Sequence, residues 1–160
     1  MTSTISDLKQ RSATNADCDA VQALVFGVLA EYGLAPDFEG TDRDITDIEA
    51  NYLYRGGIFE VIENAAGKIV GTVGLYPLDK ETIELRKMYF ASEIRGRGFG
   101  KKLLQEMIEK ARNLDYLRVY LETASVLKQA VHIYEKAGFT RVVEKHTPRC
   151  DQAYILELSK

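Results

Sequence analysis

The spacing of apolar residues along the chain predicts four helices. Apolar residues recur at helical spacing over roughly Cys18–Tyr32, Asp44–Tyr54 and Val126–Ala137, and a further helix follows a glycine-rich turn and ends near Arg112. The apolar face of the helix that ends near Arg112 consists of Leu103, Leu104, Met107, Ile108 and Ala111. Polar residues fill its other face, so we expect this helix to pack one side against a core.

Shorter segments carry the alternating or β-branched apolar pattern that is typical of strands. They are Leu8–Ala13, Ile58–Glu63, Lys68–Tyr76, Thr82–Phe90, Leu117–Glu122, Phe139–Lys145 and Ala153–Leu158. The turn Asn64–Gly67 makes the second and third strands an antiparallel hairpin. A right-handed crossover makes the fifth strand parallel to the fourth. The element order βααβββαβαββ predicts an α+β fold, with a central mixed sheet of six to seven strands flanked by helices.

The fourth strand changes the parity of its apolar positions. Ile83 and Leu85 are odd-numbered, whereas Met88 and Phe90 are even-numbered. Because successive side chains of a strand point to opposite faces, both pairs face the same side only if one residue is inserted between them. We therefore predict a β-bulge near Arg86-Lys87.

A glycine-rich turn follows this strand and reads Arg95-Gly96-Arg97-Gly98-Phe99-Gly100-Lys101. Four cations lie around the start of the next helix, namely Arg95, Arg97, Lys101 and Lys102. The first N–H groups of a helix lack partners and carry about half a positive charge from the macrodipole, so added cations destabilise this end unless an anion binds there. The glycines allow a ligand to approach the backbone. The turn therefore predicts a phosphate site.

Other anion-binding loops fit this turn less well. It lacks the Gly-Lys-Ser/Thr ending of a Walker loop, and its glycine spacing and position in mid-chain differ from those of a dinucleotide fingerprint. A solvated turn without a ligand is the alternative. The crowding of cations at the helix start argues against that alternative.

Composition narrows the class of protein. The chain has 160 residues, 46% hydrophobic and 28% charged, which predicts one domain over residues 1–160. A net charge of -3 argues against nucleic acid and anionic membranes as partners. Cys18 and Cys150 lack CxxC spacing, Met1–Asp7 lacks a signal-peptide core, and Val21–Ala30 is too short to span a bilayer. We expect a cytoplasmic monomer or homodimer, and no ligand cluster suggests a metal site.

Two motifs resemble those of the GCN5-related N-acetyltransferase (GNAT) superfamily. One is Arg95-x-x-Gly98-x-Gly100 between an apolar strand and an amphipathic helix, which is similar to the family's acyl-CoA pyrophosphate loop. The other, from Ala130 to Phe139, is similar to its late AxxxYxxxGF signature. The predicted element order also resembles the GNAT fold, so the resemblance covers nearly the whole chain.

The resemblance implies acetyl-CoA as co-substrate. In the family, a bulged strand and its parallel neighbour separate, and the pantetheine arm pairs with backbone groups in the gap, which corresponds here to Met88, Tyr89 and Phe90. The pyrophosphate would bind the N–H groups of Arg95–Lys101, with charged contacts from Arg95 and Arg97. These cofactor-binding candidates in the loop are Arg95, Gly96, Arg97, Gly98, Phe99, Gly100 and Lys101.

The resemblance also implies two groups for proton transfer. Tyr134 matches the family's frequent tyrosine acid, although its ring could simply pack on the helix's inner face. Glu84 stands where some members place a catalytic glutamate, although a solvated strand glutamate is the alternative. The chain departs from many relatives at Leu127, where they have asparagine.

The acceptor would approach over the first two helices and their loop. The candidate residues there are Tyr32, Asp37, Glu39, Asp42, Asp44 and Tyr54, which suit a cation, although each acid could instead cap a helix or remain solvated. The leading interpretation is transfer of an acetyl group to a primary amine of a small molecule or amino acid derivative. The alternatives are a protein or peptide amine as acceptor, and a non-catalytic acyl-CoA sensor.

Overall fold

In the computed structural model, residues 7–143 and 148–158 are described, and within them a seven-stranded mixed sheet has the order β1-β2-β3-β4-β5-β7-β6. The strands are β1 Lys9–Ser12, β2 Ile58–Glu63, β3 Ile69–Pro77, β4 Thr82–Phe90, β5 Arg118–Thr123, β6 Thr140–Val142 and β7 Gln152–Glu157. β4 and β5 are parallel, and every other neighbouring pair is antiparallel. The predicted fold class is confirmed. Positions 144 and 145 of the predicted sixth strand lie outside the described residues.

The helices are α1 Cys18–Glu31, α2 Ile48–Asn51, α3 Phe99–Asn113 and α4 Lys128–Lys136. The continuous helix predicted over Asp44–Tyr54 is wrong, because short 3-10 turns at Arg43–Thr46 and Leu53–Arg55 flank α2. Asp47 explains the first break: its backbone is not helical, with φ -149° and ψ 83°, and its side chain accepts a hydrogen bond from the Ala50 N–H and caps α2. No helix in the described part of the chain is long and apolar enough to cross a bilayer.

Two apolar cores lie on opposite faces of the sheet. On one face, α3 and α4 pack against the central strands through Leu104, Met107 and Tyr134. On the other face, α1 and the segment around α2 pack through Val25 and Tyr52. Burying a large apolar side chain contributes about 1.5–3 kcal/mol, so the two layers hold β4 and β5 between them.

The predicted bulge is confirmed in β4. Thr72 pairs with Tyr89 and Gly74 with Arg86, so three steps along β4 match two along β3. Lys87 has a positive φ of 55°, and the Thr72 hydroxyl donates a 2.7 Å hydrogen bond to the Lys87 carbonyl. An inserted residue bends a strand and increases its twist. The bulge therefore turns the second half of β4 out of regular pairing.

The parallel pairing of β4 and β5 is short. It joins Thr82–Glu84 to Arg118–Tyr120 and does not continue into the second halves of the strands. Beyond Glu84 the strands separate, and a cleft opens between them. The candidate functional site lies in this cleft.

Candidate active site

The cleft is a cavity of about 720 Å³, a size typical of small-molecule and cofactor sites. Residues of β4, the end of β5, the start of α3, α4 and the loop that follows α1 line it. The predicted site residues that line it are Glu84, Met88, Tyr89, Phe90, Arg95, Gly96, Gly98, Phe99, Gly100, Lys101 and Tyr134. Arg97 belongs to the same loop but is not among these lining residues.

The loop before α3 has the features of an anion site. Gly96 and Gly98 have positive φ angles of 76° and 82°, which residues with a Cβ rarely adopt. No side chain caps the N-terminus of α3, and no acid lies in its first turn. The unpaired N–H groups and the macrodipole therefore favour a negatively charged group at the cavity wall.

Gly100 has a different role from the one expected. A Cβ at this position would lie 2.9 Å from the Cδ1 atom of Ile133, which belongs to α4. This glycine therefore allows α3 and α4 to approach each other. Helix packing, and not only access of a ligand to the backbone, accounts for the third glycine of the loop.

Arg95 is engaged within the protein. Its Nε atom donates a 2.8 Å hydrogen bond to the Phe90 carbonyl, and its Nη2 atom lies 2.5 Å from Glu31 Oε2. These contacts connect the loop to the end of β4 and to the end of α1. Arg95 therefore fixes the loop's position and contributes positive charge that Glu31 partly neutralises.

The segment proposed for the pantetheine arm lies along the open edge of β4. Met88, Tyr89 and Phe90 are half-buried and line the cavity. On the opposite edge, Tyr89 and Phe90 pair with β3. Because β5 has separated from β4 here, the remaining backbone groups of the segment face the cleft. An extended ligand can therefore lie along this edge as an added strand.

Tyr134 lies both in the core and at the cavity wall. It is 6% exposed, and its ring lies 6.0 Å from that of Phe139 and 6.5 Å from that of Tyr154. Burial raises the pKa of its phenol well above the ordinary value of 10.0. The phenol therefore keeps its proton at neutral pH and can donate it. Packing of the ring, raised as an alternative to the acid role, coexists with access to the cavity.

Glu84 is buried, so the alternative of a solvated strand glutamate is wrong. The residue is 6% exposed, and its Oε1 atom accepts a 2.6 Å hydrogen bond from Arg86 Nε. Burial raises the pKa of Glu84 above its ordinary value of 4.5, although the nearby Arg86 opposes this effect. The carboxylate is thus more basic than an exposed glutamate.

Asp42 and Asp44 do not offer free negative charge to an acceptor, contrary to the expectation for a cation site. Lys87 Nζ lies 3.0 Å from Asp44 Oδ1 and 3.4 Å from Asp42 Oδ1. Arg149 forms a bidentate ion pair with Asp42, with N–O distances of 2.7 and 2.9 Å. Burial opposes ionisation of Asp42, but the hydrogen bond from Arg149, together with the other contacts, outweighs burial, so the pKa of Asp42 lies below its ordinary value of 3.8. The two aspartates therefore join the loop after α1 to the bulge and to the segment before β7.

The remaining acceptor candidates differ in position. Tyr32 and Asp37 line the cavity, whereas Glu39 and Tyr54 are exposed and are not among its lining residues. The Tyr54 hydroxyl donates a hydrogen bond to Glu49. Asp37 also accepts a hydrogen bond from the Thr41 N–H, which orders its loop.

Sequence reasoning missed Lys87, Arg149 and Arg86 as site residues. The change of parity in β4 was a signal for Lys87, because a residue at a bulge can point where a regular strand residue cannot. No local pattern marked Arg149, which contacts Asp42 across 107 residues of chain.

Replacing Lys87 with methionine should lower the free energy of unfolding by about 3–5 kcal/mol, because two buried carboxylates lose their shared cation. Methionine retains the length of the side chain and the same strain at positive φ. Urea unfolding measures the change. The matched control is Lys68→Met, which removes a 69% exposed lysine 3.9 Å from Glu93. The control should cost less than about 1 kcal/mol, and equal losses in the two variants would contradict this account.

The two cysteines are not arranged for a covalent acyl-enzyme route. Cys150 lines the cavity, but burial raises the pKa of its thiol to about 11, and Cys18 lies in the other core. A thiol that keeps its proton is a poor nucleophile. Within the described residues, no group of three or more His, Cys, Asp or Glu side chains is placed to hold a metal ion.

Known proteins share this sequence pattern and fold. The acetyltransferase (GNAT) family profile matches residues 28–139. The uncharacterised N-acetyltransferase YjgM of Escherichia coli is 36% identical over 137 residues, which cover 82% of this chain and 81% of that protein. An uncharacterised N-acetyltransferase of Schizosaccharomyces pombe is 30% identical over 147 residues, which cover 90% of each chain.

Solved structures agree with the fold. A GNAT acetyltransferase from Staphylococcus aureus superposes with a TM-score of 0.88 at 24% identity, over 95% of this chain and 99% of that one. The acetyltransferase yncA of Salmonella typhimurium, solved with acetyl-CoA, has a TM-score of 0.73 at 20% identity, over 96% and 95% of the two chains. With the family match and the curated relatives, these findings show that the chain belongs to the acetyltransferase (GNAT) family and is an acetyl-CoA-dependent N-acetyltransferase.

Proposed function

We propose that the protein transfers the acetyl group of acetyl-CoA directly to a primary amine of a small molecule or an amino acid derivative. The observation that carries this proposal is a single cavity lined by the α3 loop, a buried carboxylate and a buried phenol. Acetyl-CoA, when bound, supplies a thioester that an amine can attack. The chain must then bind the co-substrate, remove a proton from the amine and give one to the departing sulfur.

The loop Arg95–Lys101 would hold the pyrophosphate. Two features support this assignment. The start of α3 is uncapped, and Gly96 and Gly98 have positive φ angles. The open edge of β4 would align the pantetheine arm through backbone hydrogen bonds. Because both contacts involve main-chain atoms on rigid elements, they would place the reacting carbon reproducibly in the cleft.

Glu84 would act as the general base. Arg86 holds one of its oxygens, and the other has no hydrogen-bond partner among the described residues. Its raised pKa increases its affinity for a proton from the amine, directly or through a water molecule. Tyr134 would act as the general acid, because burial raises the pKa of its phenol, so that it keeps a proton at neutral pH that it can give to the departing sulfur.

Glu84→Gln should lower kcat/KM about 100-fold, since it removes the base but preserves the shape of the side chain. Activity should rise with pH in the wild type as Glu84 loses its proton, with a midpoint above the ordinary 4.5, and this acidic limb should disappear in the variant. Stopped assays of CoA release across pH measure both effects. The Kd for CoA serves as the control and should stay within about threefold. An unchanged acidic limb would assign the base to another group.

One relative supports a small acceptor. N-acetylaspartate synthetase of Danio rerio is 38% identical over 102 residues, covering 63% of this chain but only 36% of that protein. A structural neighbour with a TM-score of 0.65 is a spermidine N-acetyltransferase from Vibrio cholerae in complex with CoA and spermine. At 20% identity, that neighbour supports the fold alone.

The release of the free CoA thiol from acetyl-CoA tests the proposal across a panel of amines, amino acids and peptides. Calorimetric titration of CoA accompanies the assay. We expect turnover with small amines and CoA binding in the same preparation. Turnover with peptides alone would favour a protein acceptor, and CoA binding without turnover of any panel member would favour a sensor.

A further inference from the structure

The end of the cavity at which Glu84 lies contains an arginine with unused hydrogen-bond donors. Arg86 lines the cavity two positions after Glu84, and its side chain is 27% exposed. Its Nε atom donates to Glu84, and its guanidinium carbon lies 3.8 Å from the centre of the Tyr76 ring. The ion pair and the stacking hold the guanidinium in a defined plane.

The two terminal nitrogens of Arg86 have no hydrogen-bond acceptor among the described residues. Asp44 Oδ2 is 4.0 Å from Nη1, which is an ion-pair distance but too long for a hydrogen bond. A guanidinium carries five N–H groups, four of them on the terminal nitrogens. Arg86 therefore retains a planar set of donors beside the cavity.

The other two cations near this end are already used within the protein. Lys87 contacts Asp42, Asp44 and the Thr41 carbonyl. Arg149 contacts Asp42 through both terminal nitrogens, and Nη1 also donates to the Ala35 carbonyl. Of these three cations, Arg86 is the one whose terminal donors remain available to a ligand.

We infer that Arg86 determines specificity by binding a carboxylate on the acceptor, so that the acceptor is an α-amino acid or a compound with a carboxylate beside its amine. This inference rests on the proposed function. A guanidinium binds a carboxylate through two parallel hydrogen bonds. Glu84 Oε1 and Arg86 Nε are 2.6 Å apart, so a base and a cation stand side by side. The amine and carboxylate of an α-amino acid are likewise adjacent and opposite in charge.

A polycationic acceptor fits this end less well. Glu84 and the two buried aspartates are paired with Arg86, Lys87 and Arg149, so these six residues sum to no net charge. Two further acids line the cavity, Asp37, which accepts a hydrogen bond from the Thr41 N–H, and Glu122, which accepts one from the Tyr120 hydroxyl. A second ammonium group on the acceptor would approach Arg86, and like charges at close range repel. A zwitterion presents an anion to Arg86 and an amine to Glu84.

The test compares L-amino acids with their α-carboxamides, which lack only the carboxylate charge. In the CoA-release assay, the wild type should favour the acid over its amide by about 100-fold in kcat/KM, mainly through KM. Arg86→Gln should reduce this ratio to about one, because only the acid loses a contact. Arg86→Lys should give an intermediate ratio. The ratio within each variant separates carboxylate binding from any general effect on Glu84.

The matched control is Arg55→Gln. Arg55 also lies over the Tyr76 ring, at 5.2 Å, but it is exposed and is not among the lining residues of the cavity. This variant should keep the preference for acids. Calorimetric binding of CoA should stay within about threefold in every variant, which verifies folding.

Three results would overturn the inference: equal turnover of acids and amides by the wild type, a better rate with amides, or an undiminished preference in Arg86→Gln. Turnover of amines that lack a carboxylate at a kcat/KM equal to or above that of the acids would leave the proposed transferase intact while removing this specificity. If neither class is acetylated although CoA binds, the proposed function fails. The inference is then tested by calorimetric titration of the CoA-loaded protein with the amino acids and with their α-carboxamides. The inference requires the acids to bind more tightly than the amides.

Discussion

Gly98→Glu is expected to weaken CoA binding about 1,000-fold, because like charges brought together in a binding site cost several kcal/mol. Gly98 immediately precedes α3 and lines the cavity, where the uncapped N–H groups favour an anion. A glutamate there would supply its own carboxylate to these donors and repel the pyrophosphate. Calorimetric titration of CoA measures the loss.

The matched control for this variant is Gly67→Glu. Gly67 has a φ of 81°, close to the 82° of Gly98, and in both cases an added Cβ meets no atom within 4 Å. The two variants therefore introduce the same charge and similar backbone strain, but Gly67 lies in the turn between β2 and β3. The control should bind CoA like the wild type. Equal weakening in both variants, or none in Gly98→Glu, would contradict the loop assignment.

Tyr134→Phe should lower kcat about 1,000-fold, within the range expected for loss of a general acid, and should leave the Kd for CoA nearly unchanged. The ring packs against Phe139 and Tyr154, and phenylalanine preserves that packing. Only the hydroxyl is removed. Because burial raises the pKa of the phenol, the wild type should show no loss of activity from its ionisation near neutral pH. Single-turnover assays with saturating acetyl-CoA measure the chemical step.

Tyr154→Phe is the control for the loss of a hydroxyl in the same aromatic cluster. Tyr154 is 1% exposed, donates to Glu135 at 3.1 Å and is not among the lining residues of the cavity. Its variant should keep kcat within about threefold, since a packing residue contributes little to the transition state. A wild-type kcat in Tyr134→Phe would leave Tyr134 with a structural role alone.

Local patterns were sufficient to predict much of the fold. The β-bulge followed from the parity of Ile83 and Leu85 against Met88 and Phe90, because the side-chain period of a strand leaves no other way to bury both pairs. The loop before α3 followed from glycines and cations at a helix start. The helix predicted over Asp44–Tyr54 failed, because the capping of α2 by Asp47 divides a continuous apolar pattern.

Charge pairing explains why the candidate site was predicted only in part. Asp42 and Asp44 have the composition of a cation site, yet each is paired with a cation from a distant segment. Glu84 alternates with apolar residues as a solvated residue would, yet the cleft buries it against Arg86. The type and spacing of a residue do not show whether its charge is available to a ligand, because that depends on its neighbours in the folded structure.

The sequence by itself determined most of the element types, the bulge, the position of the glycine-rich loop and the family motifs, because each depends on residues close together along the chain. Only the tertiary structure decided which charges remain for a ligand. Lys87 meets Asp44 across 43 residues, and Arg149 meets Asp42 across 107. These pairings arise when the layers pack and exclude water, so that a buried charge must find a partner. Among the described residues, they leave the terminal nitrogens of Arg86, which lines the cavity, without a hydrogen-bond acceptor.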